Sequence, residues 1–342
     1  MSVNKTGEGV EHPQLIKFAI FHCCTVFVVG AIGNGVTLWC IATCTRLQRA
    51  VKVLLASVFL PLLLICLVSG PITSQVLTAV LANDPYRFSR TFEIVHSLFY
   101  SALAQMVHVY IAAVSLFRAV AVWSPHRQAV KLRVAVAVVT CIFIYSVLVT
   151  VGMLGSMYLG YVQERSLKRT VTVLYFFLNT MMPILVTITC YGTMMFVVRR
   201  NKRRLANSQH SVKAHSACDE ATRAMLAVFL STLILGFPHS VYHMIEDPPM
   251  IYDIIFHILF STHFALDPLV FVWFNRNYRK RTVEKMRLGL AWITRCSSSS
   301  PTPKTNSSAL HNYTSTSVSP DHTTSSKKQT DSAMTHGTDS GE

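Results

Sequence analysis

Seven long apolar runs constrain this chain more than any other feature. They extend roughly over Ile16–Cys44, Val53–Leu81, Phe92–Trp123, Val134–Leu159, Val171–Val198, Ala221–Met244 and Ile251–Phe274. Each reaches the ~20 residues a helix needs to cross a hydrocarbon core. Only 14% of the 342 residues are charged, against about 25% in an ordinary soluble domain. A soluble fold of this length is thereby excluded. The sequence predicts an all-α membrane protein, a seven-transmembrane helix bundle. Turn signals separate the runs where hairpins are needed, as at Asn83-Asp84-Pro85 and Glu246-Asp247-Pro248-Pro249.

The net charge of +15 is distributed unevenly. Arg46, Arg49 and Lys52 follow the first run, and Arg127, Lys131 and Arg133 the third. Arg199, Arg200, Lys202, Arg203, Arg204 and Lys213 follow the fifth, and Arg276, Arg279, Lys280 and Arg281 the seventh. Positive loops stay in the cytoplasm, so the N-terminus is expected outside a multi-pass plasma-membrane protein. Glu246-Asp247 then falls outside, as does the sequon Asn4-Lys5-Thr6, a glycosylation acceptor on that side. Arg165, Lys168 and Arg169 run against the pattern, in what reads as an outer loop. Met1 to Lys17 is polar and lacks the short apolar core of a cleavable signal peptide.

Beyond Phe274, apolar residues (Tyr278, Val283, Met286, Leu290, Trp292) alternate with basic ones at near-helical spacing. That predicts an amphipathic helix on the inner leaflet, basic face toward anionic lipid. Cys296 closes it as a candidate palmitoylation site. From Ser297 the chain is rich in Ser, Thr, Pro and His and reads as a disordered tail with many phosphorylatable hydroxyls. The expected organisation is an extracellular N-terminus (1–15), the bundle (16–274), the membrane-surface helix (275–296) and the tail (297–342).

Nine cysteines lie mostly within apolar runs, without zinc-site spacing or an extracellular disulfide framework. No Ser/His/Asp, His-Glu-X-X-His or Asp-pair constellation stands at catalytic spacing, so no enzyme and no cofactor is expected. The regular sidedness of the basic loops explains them better than nucleic-acid binding. A transporter or channel would show internal repeats and broken helices; no repeat is present.

Arg118 and Asp267 lie within apolar runs. Ionisable residues there are costly and tend to face the bundle interior in a functional role. Around them stands a series of motifs: Gly33-Asn34 in the first run, Phe117-Arg118-Ala119 in the third and Ser124-Pro125 just after it. Pro183 and Tyr191 follow in the fifth, Gly236-Phe237-Pro238 in the sixth, Asp267-Pro268-Leu269-Val270-Phe271 in the seventh, and then Asn275-Arg276-Asn277-Tyr278-Arg279. In order and spacing the chain resembles the rhodopsin-like (class A) G protein-coupled receptors over about residues 16–296. The resemblance implies a receptor that carries an extracellular ligand signal to a heterotrimeric G protein, with arrestin reading the Ser/Thr tail. It implies an amphipathic helix 8, and switch roles for Asn34, Arg118, Pro183, Tyr191, Pro238, Asp267, Pro268 and Phe271.

The departures mark a divergent member. Phe117 replaces the acidic neighbour of the arginine, Leu62 the sodium-site aspartate, Gly236 the toggle tryptophan and Phe271 the seventh-span tyrosine. Glu93 stands where a cysteine is expected, so the family's disulfide is missing. Without its local acid, Arg118 is expected to pair at rest with Asp219 or Glu220 at the base of the sixth span.

Tyr100, Gln105, His108, His239, Tyr242, His243, His257 and Ser261 are the candidate ligand-pocket residues. His239 and His243 share one helix face, four apart. Tyr100 stands near the position where aminergic receptors carry an aspartate, and no lysine stands near Ser261 where opsins hold retinal. Amine and retinal ligands are therefore disfavoured, while lipid, peptide and chemosensory ligands remain open. The histidines with Glu246 suit proton or metal sensing. Membrane-embedded histidines more often make interhelical hydrogen bonds, and the sequence assigns no metal. An atypical or constitutively active receptor with odorant, proton or metal input is the alternative.

Overall fold

A computed structural model describes residues 12–45, 47–84, 86–123, 130–205, 215–245, 249–276, 278–284 and 287; of residues 198, 201–205 and 215–222 it describes the backbone alone. The expectations placed on Asn4, Ser124-Pro125, Glu246, Cys296 and the tail from 297 onward lie outside these residues, as do the side chains of Asp219 and Glu220.

The described residues form helices and connecting turns, with no β-strand among them. Seven helices are long and apolar enough to cross a bilayer: α1 (Pro13–Thr43), α2 (Arg49–Leu81), α3 (Arg90–Trp123), α4 (Leu132–Tyr158), α5 (Arg165–Val197), α6 (Arg223–Tyr242) and α7 (Met250–Phe274). The backbone of α5 stays helical to Leu205, and that of α6 begins at His215. Residues 278–284 are again helical and form α8. The chain is a multi-pass membrane protein, with its fold at the residues the apolar runs foretold.

Helix ends follow local chemistry. Pro13 opens α1, where its missing N–H is no loss. The Ser89 hydroxyl accepts the Phe92 N–H at 3.2 Å and caps α3. At the end of α2, Asn83 takes a left-handed φ of 52° while Asp84 N–H bonds Ala79 O at 2.9 Å. Gly160, with φ 82°, ends α4 the same way, its neighbour Tyr161 N–H reaching Ser156 O at 3.0 Å. Besides the longer backbone ends of α5 and α6, one further boundary differs from the sequence reading. Arg165, Lys168 and Arg169 form the opening turns of α5 rather than a loop, because apolar periodicity alone does not register an amphipathic helical extension.

Three helices contain wide π-turns: Ile65–Ser69 in α2, Thr150–Gly155 in α4 and Phe177–Met181 in α5. Two of them end two residues before a proline, Pro71 and Pro183. Proline cannot donate to, and collides with, the carbonyl one turn back. A local widening relieves that clash inside a membrane bundle.

Polarity is reversed relative to a soluble bundle. Phe21, Leu148 and Ile234 are each two-thirds exposed around the outside, whereas Asn34, Ser115, His263 and Asp267 are fully buried. Lipid supplies no drive to bury leucine, so close contact depends on small residues and internal hydrogen bonds. Gly30 and Gly33 provide the closeness. A Cβ at Gly30 would overlap Cys66 Sγ of α2, and one at Gly33 would meet Pro268 Cγ of α7 at 3.0 Å. Asn34 Nδ2 then donates to Gly30 O at 2.8 Å and, across the interface, to Phe264 O at 3.0 Å. At the opposite rim, α8 tucks under α1: Arg281 Nη1 reaches Thr43 O at 3.2 Å, and buried Tyr278 rests on Phe271.

Gly30→Ala should lower the detergent melting midpoint, by an overpacking cost of about 1–3 kcal/mol. Adding Cys66→Ala should restore most of it, since the thiol sulfur is the atom in the way. Equal melting of the single and double variants would show that the α1–α2 contact is not limiting.

Candidate functional site

The bundle opens on its N-terminal face, where α1, α3, α5 and α7 begin, into a cavity of about 440 Å³. Its wall includes Tyr100, Gln105, His108, His239, His243, His257 and Ser261. Seven of the eight candidate pocket residues therefore share one cavity. Tyr242 does not line it: the ring is buried against Phe256, with centroids 5.0 Å apart. Tyr242 adjoins His243 in α6, but adjacent helical residues point about 100° apart.

Two polar assemblies line the cavity. On one side α3, α4 and α5 meet at Gln105. Its Nε2 donates to Asn179 Oδ1 at 2.8 Å, while its Oε1 accepts from Thr150 Oγ1 at 2.9 Å and from the Tyr175 hydroxyl at 3.1 Å. Tyr145 adds a second donor to Asn179 Oδ1 at 2.8 Å. Thr150 lies in the π-turn of α4 and Asn179 in that of α5. The widened turns thus present polar side chains where a regular helix would have placed neighbouring residues. Sequence reading found Gln105 and missed its partners, since nothing local ties Thr150, Tyr175 and Asn179 together.

On the other side stand the histidines. His239, Phe260 and His108 form a column of nearly parallel rings, with centroids 4.2 Å and 6.3 Å apart. Gly236 faces this column: a Cβ there would lie 3.5 Å from Phe260 and 3.7 Å from His108 Nε2. The sixth-span aromatic is absent, and a seventh-span ring occupies the place beside it. His243 stacks on Phe176 at 4.8 Å. Although the sequence assigns no metal, one ring nitrogen from each of His239, His243 and His257 lies within 4.8 Å of the other two. Ser261 approaches His22 of α1, whose Nε2 is 2.9 Å from Thr262 Oγ1.

Below the cavity, Asp267 of α7 is fully buried and accepts hydrogen bonds from Ser231 and, at 3.3 Å, Thr232 of α6. Leu62, at the expected place of a second carboxylate, is also fully buried and contributes only packing. Phe271 is clasped between Phe59 and Tyr278, at 4.8 and 5.6 Å, so the hydroxyl that a tyrosine would carry is not missed there. Near the basic rim, Arg118 is half-buried within electrostatic reach of Tyr191, itself stacked on Phe229. Pro183 and Pro238 sit inside α5 and α6, and Pro268 against Gly33. A second cavity of about 460 Å³ opens on this rim, lined by Arg223, Trp273, Phe274, Arg276 and Arg279.

The space beside Gly236 separates two substitutions. Gly236→Ala should leave the fold intact or stabilise it by roughly 0.5–1 kcal/mol, because the new methyl meets only ordinary contacts in a helix interior. Gly236→Trp should displace Phe260 and destabilise by about 1–3 kcal/mol in thermal unfolding. A tryptophan variant as stable as the parent would refute this packing.

Comparison with protein-family models and with curated proteins finds no match. Among solved structures, the crystal structure of squid rhodopsin superposes with a TM-score of 0.69, covering 84% of this chain and 89% of that one at 15% identity. At that identity the likeness shows the architecture alone: the chain has the rhodopsin-like seven-helix fold.

Proposed function

We propose that the chain is a divergent rhodopsin-like G protein-coupled receptor, lying in the plasma membrane with its N-terminus outside. The observation that carries this reading is the vertical arrangement of α6 and α7. Their N-terminal-face halves wall a 440 Å³ cavity, and one or two turns below it the same helices are joined through Asp267, Ser231 and Thr232. A ligand that binds one arrangement of α6 and α7 better than another shifts the population between them. The 460 Å³ cavity at the other end, with Arg223, Arg276 and Arg279 in its wall, suits an acidic partner surface such as a heterotrimeric G protein presents. The tail is assigned to arrestin through phosphorylated hydroxyls, and Cys296 to palmitoylation.

The test is guanine-nucleotide exchange on a panel of heterotrimeric G proteins by the protein in lipid nanodiscs, first alone and then with lipid, peptide and odorant libraries. At least one G protein class should exchange faster with the receptor than without it. Exchange at the uncatalysed rate across the whole panel would overturn the reading.

The clamp makes a directional prediction. Ser231→Ala with Thr232→Val removes two hydrogen bonds to Asp267, each worth about 0.6 kcal/mol inside a membrane. Ligand-free exchange should rise about three- to sevenfold at equal surface expression. Unchanged basal exchange would assign the clamp to static packing.

A further inference from the structure

We propose that His239 and His243 of α6 and His257 of α7 form a binding site for a divalent transition-metal ion of the Zn²⁺ class, at the mouth of the cavity. Histidines in a membrane bundle ordinarily serve as interhelical hydrogen-bond partners. Here the His239–His243 contact, Nε2 to Nε2 at 3.0 Å, lies within α6. The His257 bond, Nδ1 to Asp253 O at 2.7 Å, lies within α7. Among the described residues no hydrogen bond of the three joins the helices, yet their rings converge across the interface, with centroids 4.6 and 5.3 Å apart.

The distances fit a shared cation. Two nitrogens each 2.0–2.1 Å from a tetrahedral zinc stand about 3.3 Å apart. The 3.0 Å pair needs to open by a few tenths of an ångström, and His257 to close in from at most 4.8 Å. Side-chain rotation within a cavity wall supplies both movements. The protonation pattern also fits. With Nδ1–H donated to the Asp253 carbonyl, and the Asp253 carboxylate 3.3 Å from the same nitrogen, His257 keeps its Nε2 lone pair for a metal. A ligating histidine is usually held this way, its second nitrogen bonded to a carbonyl or carboxylate. Tyr242 packs on Phe256 of α7, which places it beside the site rather than in the cavity. Phe260 and Phe176 stack on His239 and His243 and hold the rings edge-on to one another.

Three imidazoles select zinc, copper or nickel over magnesium and calcium, which prefer oxygen donors. Three protein ligands leave a fourth position for water or for a donor atom of a small molecule in the cavity. Bound metal would tie α6 to α7 above the Asp267 clamp. The site does not depend on G protein coupling, and its test reads no signalling.

The experiment is equilibrium dialysis of the full chain in detergent, stripped of metal, against Zn²⁺ and against Mg²⁺, with melting midpoints recorded in parallel. One saturable site is expected for Zn²⁺ and none for Mg²⁺, with a Zn²⁺-dependent rise in midpoint. His243→Ala and His257→Ala should each weaken binding at least 100-fold, while His243→Cys, which restores a ligand, should retain it. Asp253→Asn should weaken it about tenfold. Absence of saturable Zn²⁺ binding to the parent would overturn the proposal, as would binding that survives both alanine substitutions. The cysteine variant and the metal-free midpoints separate a lost ligand from a lost fold.

Discussion

Everything in this bundle depends on the cost of an unpaired polar group in hydrocarbon. Aliphatic side chains gain nothing by leaving lipid for another helix, so they cannot decide which helices touch. The polar side chains decide. Asn34 finds Phe264 O, Gln105 finds Asn179, Thr150 and Tyr175, and Asp267 finds Ser231 and Thr232. Each set spans a different helix boundary: α1 to α7, α3 to α4 and α5, and α6 to α7. Together with the glycines that let α1 approach, these contacts specify a topology that seven greasy cylinders would otherwise leave open.

How far the sequence revealed this follows from the same physics. The spans were legible because a bilayer demands one contiguous apolar length, and that demand is local. Asn34, Arg118 and Asp267 were legible because a polar residue in such a span is conspicuous. Of the candidate pocket residues, seven line one cavity once α3, α6 and α7 are stacked. Tyr242 lies off the cavity wall, and a position on a helix does not reveal its azimuth when its neighbours are also polar. The Gln105 assembly failed more fully. Thr150 and Asn179 are ordinary helix residues until a π-turn in α4 and another in α5 carry them, and Tyr175 lies just before the second. Arg165, Lys168 and Arg169 read as loop because charge masks helical continuity, although the α5 backbone runs through them unbroken.

The residues that stand apart from the rhodopsin-like motifs are each accommodated by local packing. Gly236 leaves a gap in α6, and Phe260 of α7 lies beside it, stacked between His239 and His108. Phe271 forgoes a hydroxyl where Phe59 and Tyr278 provide an apolar seat. Leu62 replaces a carboxylate, and Asp267 turns instead to the hydroxyls of α6. Phe260, Phe271 and Asp267, the residues that make these contacts, all belong to α7. The packing around Gly236, Phe271 and Asp267 is thereby concentrated on one helix, α7.

That concentration has a mechanical consequence. His257, Phe260, Phe264, Asp267 and Phe271 lie three or four residues apart along α7, and so occupy one face. From cavity to basic rim, each of them touches a ring or hydroxyl on a neighbouring helix or a ring further along α7 itself. A helix packed continuously on one face does not bend at each contact independently, because close-packed interfaces switch between discrete arrangements rather than deform smoothly. A change in how His257 meets α6 at the cavity must therefore be accommodated along the whole face or stopped at Pro268, where the backbone lacks one hydrogen bond. Asp267 sits immediately before that break, bonded to α6, and so is the point at which motion of the upper half is either passed to the basic rim or absorbed.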